Sequence, residues 1–183
     1  KTVDLLQEDG FRIEKVLFQA RPGAWITANF YLPEQRNGKI PAILLLCGHA
    51  EEGKAYPQYQ NVCRRLVQAG IAVLAQDPVG QGERFEYYIP ETGELRIKGL
   101  IEEHDYEGKP IWALGQSLAR YFVADAIGGI DYLCSREEVD PKRIGVTGNS
   151  GGGTQTSMLL LADRRISVAA IGTFITSEKA ILR

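Results

Sequence analysis

Two kinds of hydrophobic pattern divide the chain. Over residues 12–19 apolar and charged side chains mix, Arg21-Pro22-Gly23 supplies a turn, and residues 24–32 alternate. Trp25, Thr27, Asn29 and Tyr31 fall on one face and Ile26, Ala28, Phe30 and Leu32 on the other, which predicts an antiparallel hairpin. The pattern then becomes continuous. Residues 41–47 and 71–75 are near-unbroken apolar runs, as expected of parallel strands covered on both faces. Residues 143–147 and 166–175 predict two more such strands. Helical spacing lies between them. Val62, Leu66 and Ala69 predict a helix over 59–69 that Gly70 ends. Ile111, Leu114, Leu118, Phe122, Ala126, Ile130 and Leu133 predict one long helix over 111–134. Strand alternating with helix is the grammar of an open, mostly parallel α/β sheet. Residues 80–110, rich in glycine and charge, fit no regular element and read as a long irregular segment of the kind that often carries function.

Length and composition narrow the class. The 183 residues suit one domain over 1–183, and 24% charged residues with 44% hydrophobic ones argue against disorder. The net charge of −2 leaves no electrostatic footprint for nucleic acid or an anionic membrane, and no apolar stretch approaches the ~20 residues of a membrane helix. A small-molecule partner is expected. Cys47, Cys63 and Cys134 are odd in number, widely spaced and without a CxxC pair, so they read as structural thiols. His49 and His104 are the only histidines and stand apart, so no metal-ligand spacing arises and neither a metal nor a cofactor is expected.

The chemistry sits at Gly148-Asn149-Ser150-Gly151-Gly152, a G-x-S-x-G run between the apolar strand at 143–147 and a helix-compatible run at 154–162. A serine on such a strand-to-helix turn is held in a strained backbone conformation with its hydroxyl aimed away from the sheet. The helix start offers free amides and a positive dipole end to a developing oxyanion. A bare Gly-rich connection is the alternative. A P-loop is excluded because no Lys follows the glycines, and a dinucleotide fingerprint because G-x-G-x-x-G is missing from residues 145–153. Ser150 is therefore the candidate nucleophile. The amide of Gly151 is one candidate oxyanion donor, and the amide of His49, after the first buried strand, is the other. The His49 side chain is read as bracing its loop rather than touching substrate.

In folds built on this elbow the acid and the histidine follow the serine. No His occurs in residues 151–183, Asp163 lies at a helix end rather than a strand end, and His104 precedes the serine. Ser177 is placed to cap a helix over 178–182. These features lead us to expect a fold left incomplete at Arg183, with the acid and base beyond it.

Gly48-His49, Asp77-Pro78-Val79-Gly80-Gln81-Gly82-Glu83-Arg84, Asp131-Tyr132-Leu133 and the run from Val139 to Gly153 together resemble the acetyl xylan esterase-like branch of the α/β-hydrolase superfamily. The resemblance extends over about residues 11–177. It implies an α/β-hydrolase fold, mostly parallel with an N-terminal antiparallel hairpin. It also implies a serine esterase acting on acyl, often acetyl, esters of carbohydrates, with Ser150 as nucleophile and the amides of His49 and Gly151 as oxyanion donors. Cys47 departs from it, since related enzymes commonly carry His before the Gly. Two other readings stay open: an inactive hydrolase-like binding or scaffold domain, and a prolyl-oligopeptidase-type serine peptidase. Separately, Asp125 falls near the apolar stripe of the long helix, where a carboxylate needs a partner, and Arg84 is the expected one.

Overall fold

The structure is a computed structural model and describes residues 1–173 and 175. The helix expected over 178–182, with its cap Ser177, lies outside the described residues. The strands are β1 (Thr2–Glu8), β2 (Phe11–Arg21), β3 (Ala24–Pro33), β4 (Ile40–Leu46), β5 (Ala72–Gln76), β6 (Tyr88–Ile89), β7 (Glu94–Leu95), β8 (Val139–Asn149) and β9 (Ile166–Gly172). The helices are α1 (Pro57–Gln68), α2 (Ile101–Ala113), α3 (Ala119–Ser135) and α4 (Gly151–Ala162).

Seven strands form the main sheet in the order β1-β2-β3-β5-β4-β8-β9. The four from β5 to β9 pair in parallel, and β1, β2 and β3 join them antiparallel. This is the expected sheet, with one more antiparallel strand than the hairpin. The alternation of β3 was legible: Ile26, Ala28, Phe30 and Leu32 are buried while Trp25 is exposed. The continuous run in β4 is explained by cover on both faces. Ala42, Leu44 and Leu46 enter the core under α3 and α4, while Leu45, with Cys47 just beyond the strand, meets Cys63 and Val67 of α1 on the opposite face. At about 25 cal/mol per Å² of apolar surface removed from water, this two-sided burial dominates the stability of the parallel half.

Three expectations are corrected. The strand β1 was missed because it is an edge strand whose Val3, Leu5 and Leu6 all stay exposed, so burial never imposed a period-two pattern. The helix expected over 111–134 is two. The chain leaves α2 at Leu114, turns at Gly115 with φ +72°, and re-enters a helix at Ala119. Leu114 kept the spacing by coincidence and is 78% exposed, whereas Ala126, Ile130 and Leu133 of α3 are fully buried. The segment over 80–110 is not irregular throughout, since it holds the small β6–β7 hairpin and most of α2. Finally, Cys47 and Cys63 are buried free thiols, while Cys134 is only partly buried. Burial pushes the Cys63 thiol up to about 12, so it stays protonated and inert at neutral pH.

Asp125 does meet Arg84, at 2.9 Å, with both side chains almost fully buried. A second guanidinium, Arg21 from the end of β2, reaches the other carboxylate oxygen at 2.8 Å. Arg84 also donates to the carbonyl of Asp77 at 3.0 Å, so this cluster ties the loop after β5 to α3 and to the hairpin turn.

Candidate active site

The C-terminal ends of β4, β5 and β8 lie side by side, and three loops meet there. Ser150 occupies the turn between β8 and α4 with φ +56° and ψ −122°, a conformation L residues rarely adopt and which the surroundings must enforce. Its amide donates to the carbonyl of Gly172 and to the Thr173 hydroxyl, both at 3.0 Å, and its carbonyl accepts from Thr154 at 3.1 Å. The neighbouring glycines have a steric reason. A β-carbon on Gly152 would run into the carbonyl of Leu46, and one on Gly148 would run into Gly152 itself. The elbow therefore sits directly against the end of β4 with no room for side chains on that side.

The loop after β4 is held in another way. The Gly48 amide donates to the Tyr59 hydroxyl at 2.8 Å. Gln81, 1% exposed, donates to the carbonyls of Gly48 and Ala50 at 2.8 and 3.0 Å, bracketing His49. Gln155 of α4 donates to the Cys47 carbonyl at 3.0 Å. Further along, Asp77 is fully buried and accepts from the Lys54 amide at 2.7 Å and the Thr27 hydroxyl at 2.7 Å, and it forms an ion pair with the Lys54 ammonium. The first glycine of this loop also touches the elbow: a β-carbon on Gly48 would lie 3.3 Å from the Gly151 nitrogen. Among the described residues, neither the His49 amide nor the Gly151 amide donates a hydrogen bond. The sequence-predicted residues Ser150, Gly151 and His49 are thus brought to one place, and neither of the two amides is hydrogen-bonded there.

His49 is exposed on the rim, and its Nε2 lies 3.4 Å from Nδ1 of His104. Loss of hydration first, and then the neighbouring His104, hold the His49 pKa below the usual histidine value. The two rings, Cys47, Phe122, Gly151 and Met158 line a cavity of about 230 Å³ beside the elbow. A larger cleft of about 810 Å³ lies at the β2–β3 turn, between Trp25, Arg84, Glu107 and Tyr121, and includes none of the elbow residues. Asp163 is committed elsewhere. It accepts from the Arg165 amide at 2.9 Å and pairs with the Arg165 guanidinium, which holds its carboxyl below the usual range. Among the described residues, no group of three or more His, Cys, Asp or Glu side chains could hold a metal ion, and no helix is long and apolar enough to cross a membrane.

Gln81, Tyr59, Asp77 with Lys54, and Thr173 received no role from the sequence. The only signal for Gln81 was its place between two glycines in a run already singled out. The partners of Asp77 are remote in sequence and gave none.

Comparison with known proteins decides which lineage this elbow belongs to. The profile of the acetyl xylan esterase (AXE1) family matches residues 3–180. The chain belongs to this family. It is 27% identical over 166 residues to YtaP of Bacillus subtilis (strain 168), an alignment covering 85% of this chain and 50% of YtaP. Among solved structures, one from Bacteroides fragilis NCTC 9343 superposes with a TM-score of 0.76 at 22% identity, covering 92% of this chain and 46% of that one. Acetyl xylan esterase 1 from Thermoanaerobacterium sp. JW/SL YS485 gives a TM-score of 0.67 at 24% identity, over 93% of this chain and 50% of that one. The chain therefore has the α/β-hydrolase fold and spans about half the length of these relatives.

Proposed function

We propose that this chain supplies the nucleophile and the oxyanion site of a serine ester hydrolase that removes short acyl groups, acetyl foremost, from carbohydrate esters. The observation that carries the reading is Ser150 in its strained turn beside two amides with no acceptor of their own. The Ser150 Oγ attacks the ester carbonyl as a base takes its proton. The carbonyl oxygen, now negative, accepts from the amides of Gly151 and His49. Collapse expels the alcohol, which takes up that proton, and leaves the acyl group on Ser150. Water, deprotonated by the same base, then attacks the acyl carbon, and the acid leaves as the base returns the proton to the Ser150 Oγ. No histidine lies in residues 151–183, and neither the base nor its acid is assigned to a residue here.

The acyl preference rests on family membership. The cavity of about 230 Å³ beside Gly151, lined by Phe122 and Met158 among others, gives the acyl group an apolar place to sit. Family membership favours a carbohydrate alcohol, as in the relative named acetyl xylan esterase 1.

The test is fluorophosphonate labelling of the full-length protein, followed by turnover of acetyl and longer acyl esters. Label on Ser150, lost in Ser150→Ala, with acetyl preferred over butyryl, is the expected result. A folded full-length protein that takes no label would overturn the esterase reading in favour of a binding domain.

A further inference from the structure

His49 and His104 come from different parts of the chain, the loop after β4 and the first turns of α2, and a single carbonyl orders both rings. The His104 Nε2 lies 2.8 Å from the carbonyl of Val79. A carbonyl only accepts, so this nitrogen carries the proton, and the Nδ1 of a neutral His104 is bare. That bare nitrogen faces the His49 Nε2 at 3.4 Å and can only accept from it. The His49 proton is then on Nε2, and its own Nδ1 is bare. The His104 ring is fixed from another side by Phe122, edge-on at 5.2 Å between centroids. The His49 Nδ1 comes close to the elbow. It lies 3.1 Å from where a β-carbon on Gly151 would sit, in the space that this glycine leaves empty beside the candidate nucleophile.

We propose that His104 is a positioning residue: the chain from the Val79 carbonyl through His104 holds His49 as its Nε2–H tautomer and presents the bare Nδ1 beside Gly151 to accept a hydrogen bond from a free hydroxyl of the substrate. The hydroxyl part rests on the esterase reading above, whereas the tautomer part does not. A neutral acceptor at this point favours an ester whose alcohol carries a neighbouring unesterified hydroxyl, as in a partly acylated sugar, and gives nothing to the same ester with that hydroxyl blocked. The lowered pKa of His49 supports a neutral ring at neutral pH. His104 shares the lining of the cavity, but its effect on the hydroxyl is exerted through His49 in this scheme.

The test reads the rings directly. Long-range ¹H–¹⁵N spectra of the full-length protein with labelled histidine, assigned through loss of signals in His49→Gln, report which nitrogen of each ring is protonated. Both rings are expected to carry the proton on Nε2 at neutral pH. His104→Gln, which offers an amide N–H to Val79 and a carbonyl to His49, keeps the His49 tautomer. His104→Phe keeps the ring shape and releases His49 to a mixture. A His49 proton found on Nδ1 in the unaltered protein, or a His49 spectrum unchanged in His104→Phe, overturns the proposal. In turnover, preference for a hydroxyl-bearing acetyl ester over its O-methylated analogue should fall roughly fivefold in His104→Phe, mainly in KM, and return in His104→Gln, the size of one net hydrogen bond. An unchanged preference removes the hydroxyl role. Failure of Ser150 to label would end the esterase reading while leaving the ring spectra as predicted.

Discussion

Two loops meet at the C-terminal edge of the sheet, and they keep their shapes by opposite means. The elbow after β8 is fixed by what it lacks. Gly148 and Gly152 admit no β-carbon because the backbone of β4 and of the turn itself fills the space, and Ser150 is left at φ +56°. The loop after β4 is fixed by what is put against it, since the side chains of Gln81, Asp77 and Tyr59 satisfy its backbone groups one by one, with Lys54 pairing Asp77. Steric exclusion is indifferent to charge and salt and tolerates no added carbon. A polar lattice accepts small changes in volume but fails when one partner is removed, because each group left behind is buried and unpaired. The two loops should therefore break under different substitutions and conditions.

The largest effect should come from the polar side. Asp77→Ala strands a Lys54 ammonium that is 6% exposed and removes the acceptor of the Lys54 amide and the Thr27 hydroxyl. Removing one partner of a buried pair costs about 3–5 kcal/mol, and the residual contact to Glu83 argues for the lower end. Chemical denaturation measures it, and a cost under about 1 kcal/mol would show that the loop does not depend on this pair. The elbow gives a sharper sign. Gly152 lies in the first turn of α4, where helix propensity alone favours Gly→Ala by up to about 1 kcal/mol. The Leu46 carbonyl predicts the reverse, and Gly152→Ala should destabilise by about 1–3 kcal/mol with loss of Ser150 labelling. A stabilised variant would mean that steric exclusion does not hold the turn.

The same contrast explains what could be read in advance. Requirements that are local appear in the sequence. The glycines around Ser150 form a recognisable five-residue run even though the Leu46 carbonyl of β4 supplies part of the steric demand, and the β4 run is apolar because both of its faces are covered. Requirements set by topology do not appear. Gln81 reaches back over thirty residues to Gly48 and Ala50, and nothing in the run from Asp77 to Arg84 states where those carbonyls will be. The break between α2 and α3 was hidden because Leu114 and Leu118 continue a helical period that the core never uses at Leu114. The pairing of Arg84 with Asp125 was legible from one side, since a carboxylate on an apolar stripe needs a cation, but the stripe alone could not announce that Arg21 shares it.

That shared carboxylate gives a mid-sized test of how far the polar lattice extends. Arg84 holds both Asp125 and the Asp77 carbonyl, so it joins the loop after β5 to α3. Arg84→Ala and Asp125→Ala should each destabilise, and Asp125→Ala more, because it strands two guanidiniums. The double variant should cost less than the sum by about 0.5–3 kcal/mol. Simple additivity in that cycle would mean that the loop and α3 are held independently.

The smallest effect separates the loops by pH. Beneath the loop after β5, the buried Glu103 of α2 accepts from the Glu86 amide at 3.0 Å. Glu107, one turn further on, is pushed up to about 7, first by burial and then by the negative charges of Glu86 and Glu103. Its ordinary value is 4.5, so between about 4.5 and 7 the folded protein keeps a proton that the unfolded chain has released. Folding is then favoured at the acid end of that window, and this contribution is lost as pH rises towards 7. His49, held below its usual value, works in the opposite direction over part of the same range, so the raw pH profile mixes the two. The difference between the unaltered protein and Glu107→Gln removes His49 from the comparison. That difference should favour the unaltered protein more at pH 5 than at pH 8. The destabilisation caused by Gly152→Ala should be the same at both, because a β-carbon against a carbonyl carries no proton. A flat Glu107→Gln difference would mean that burial does not raise Glu107, and a pH-dependent cost at Gly152 would mean that more than the clash of a β-carbon with a carbonyl sets it.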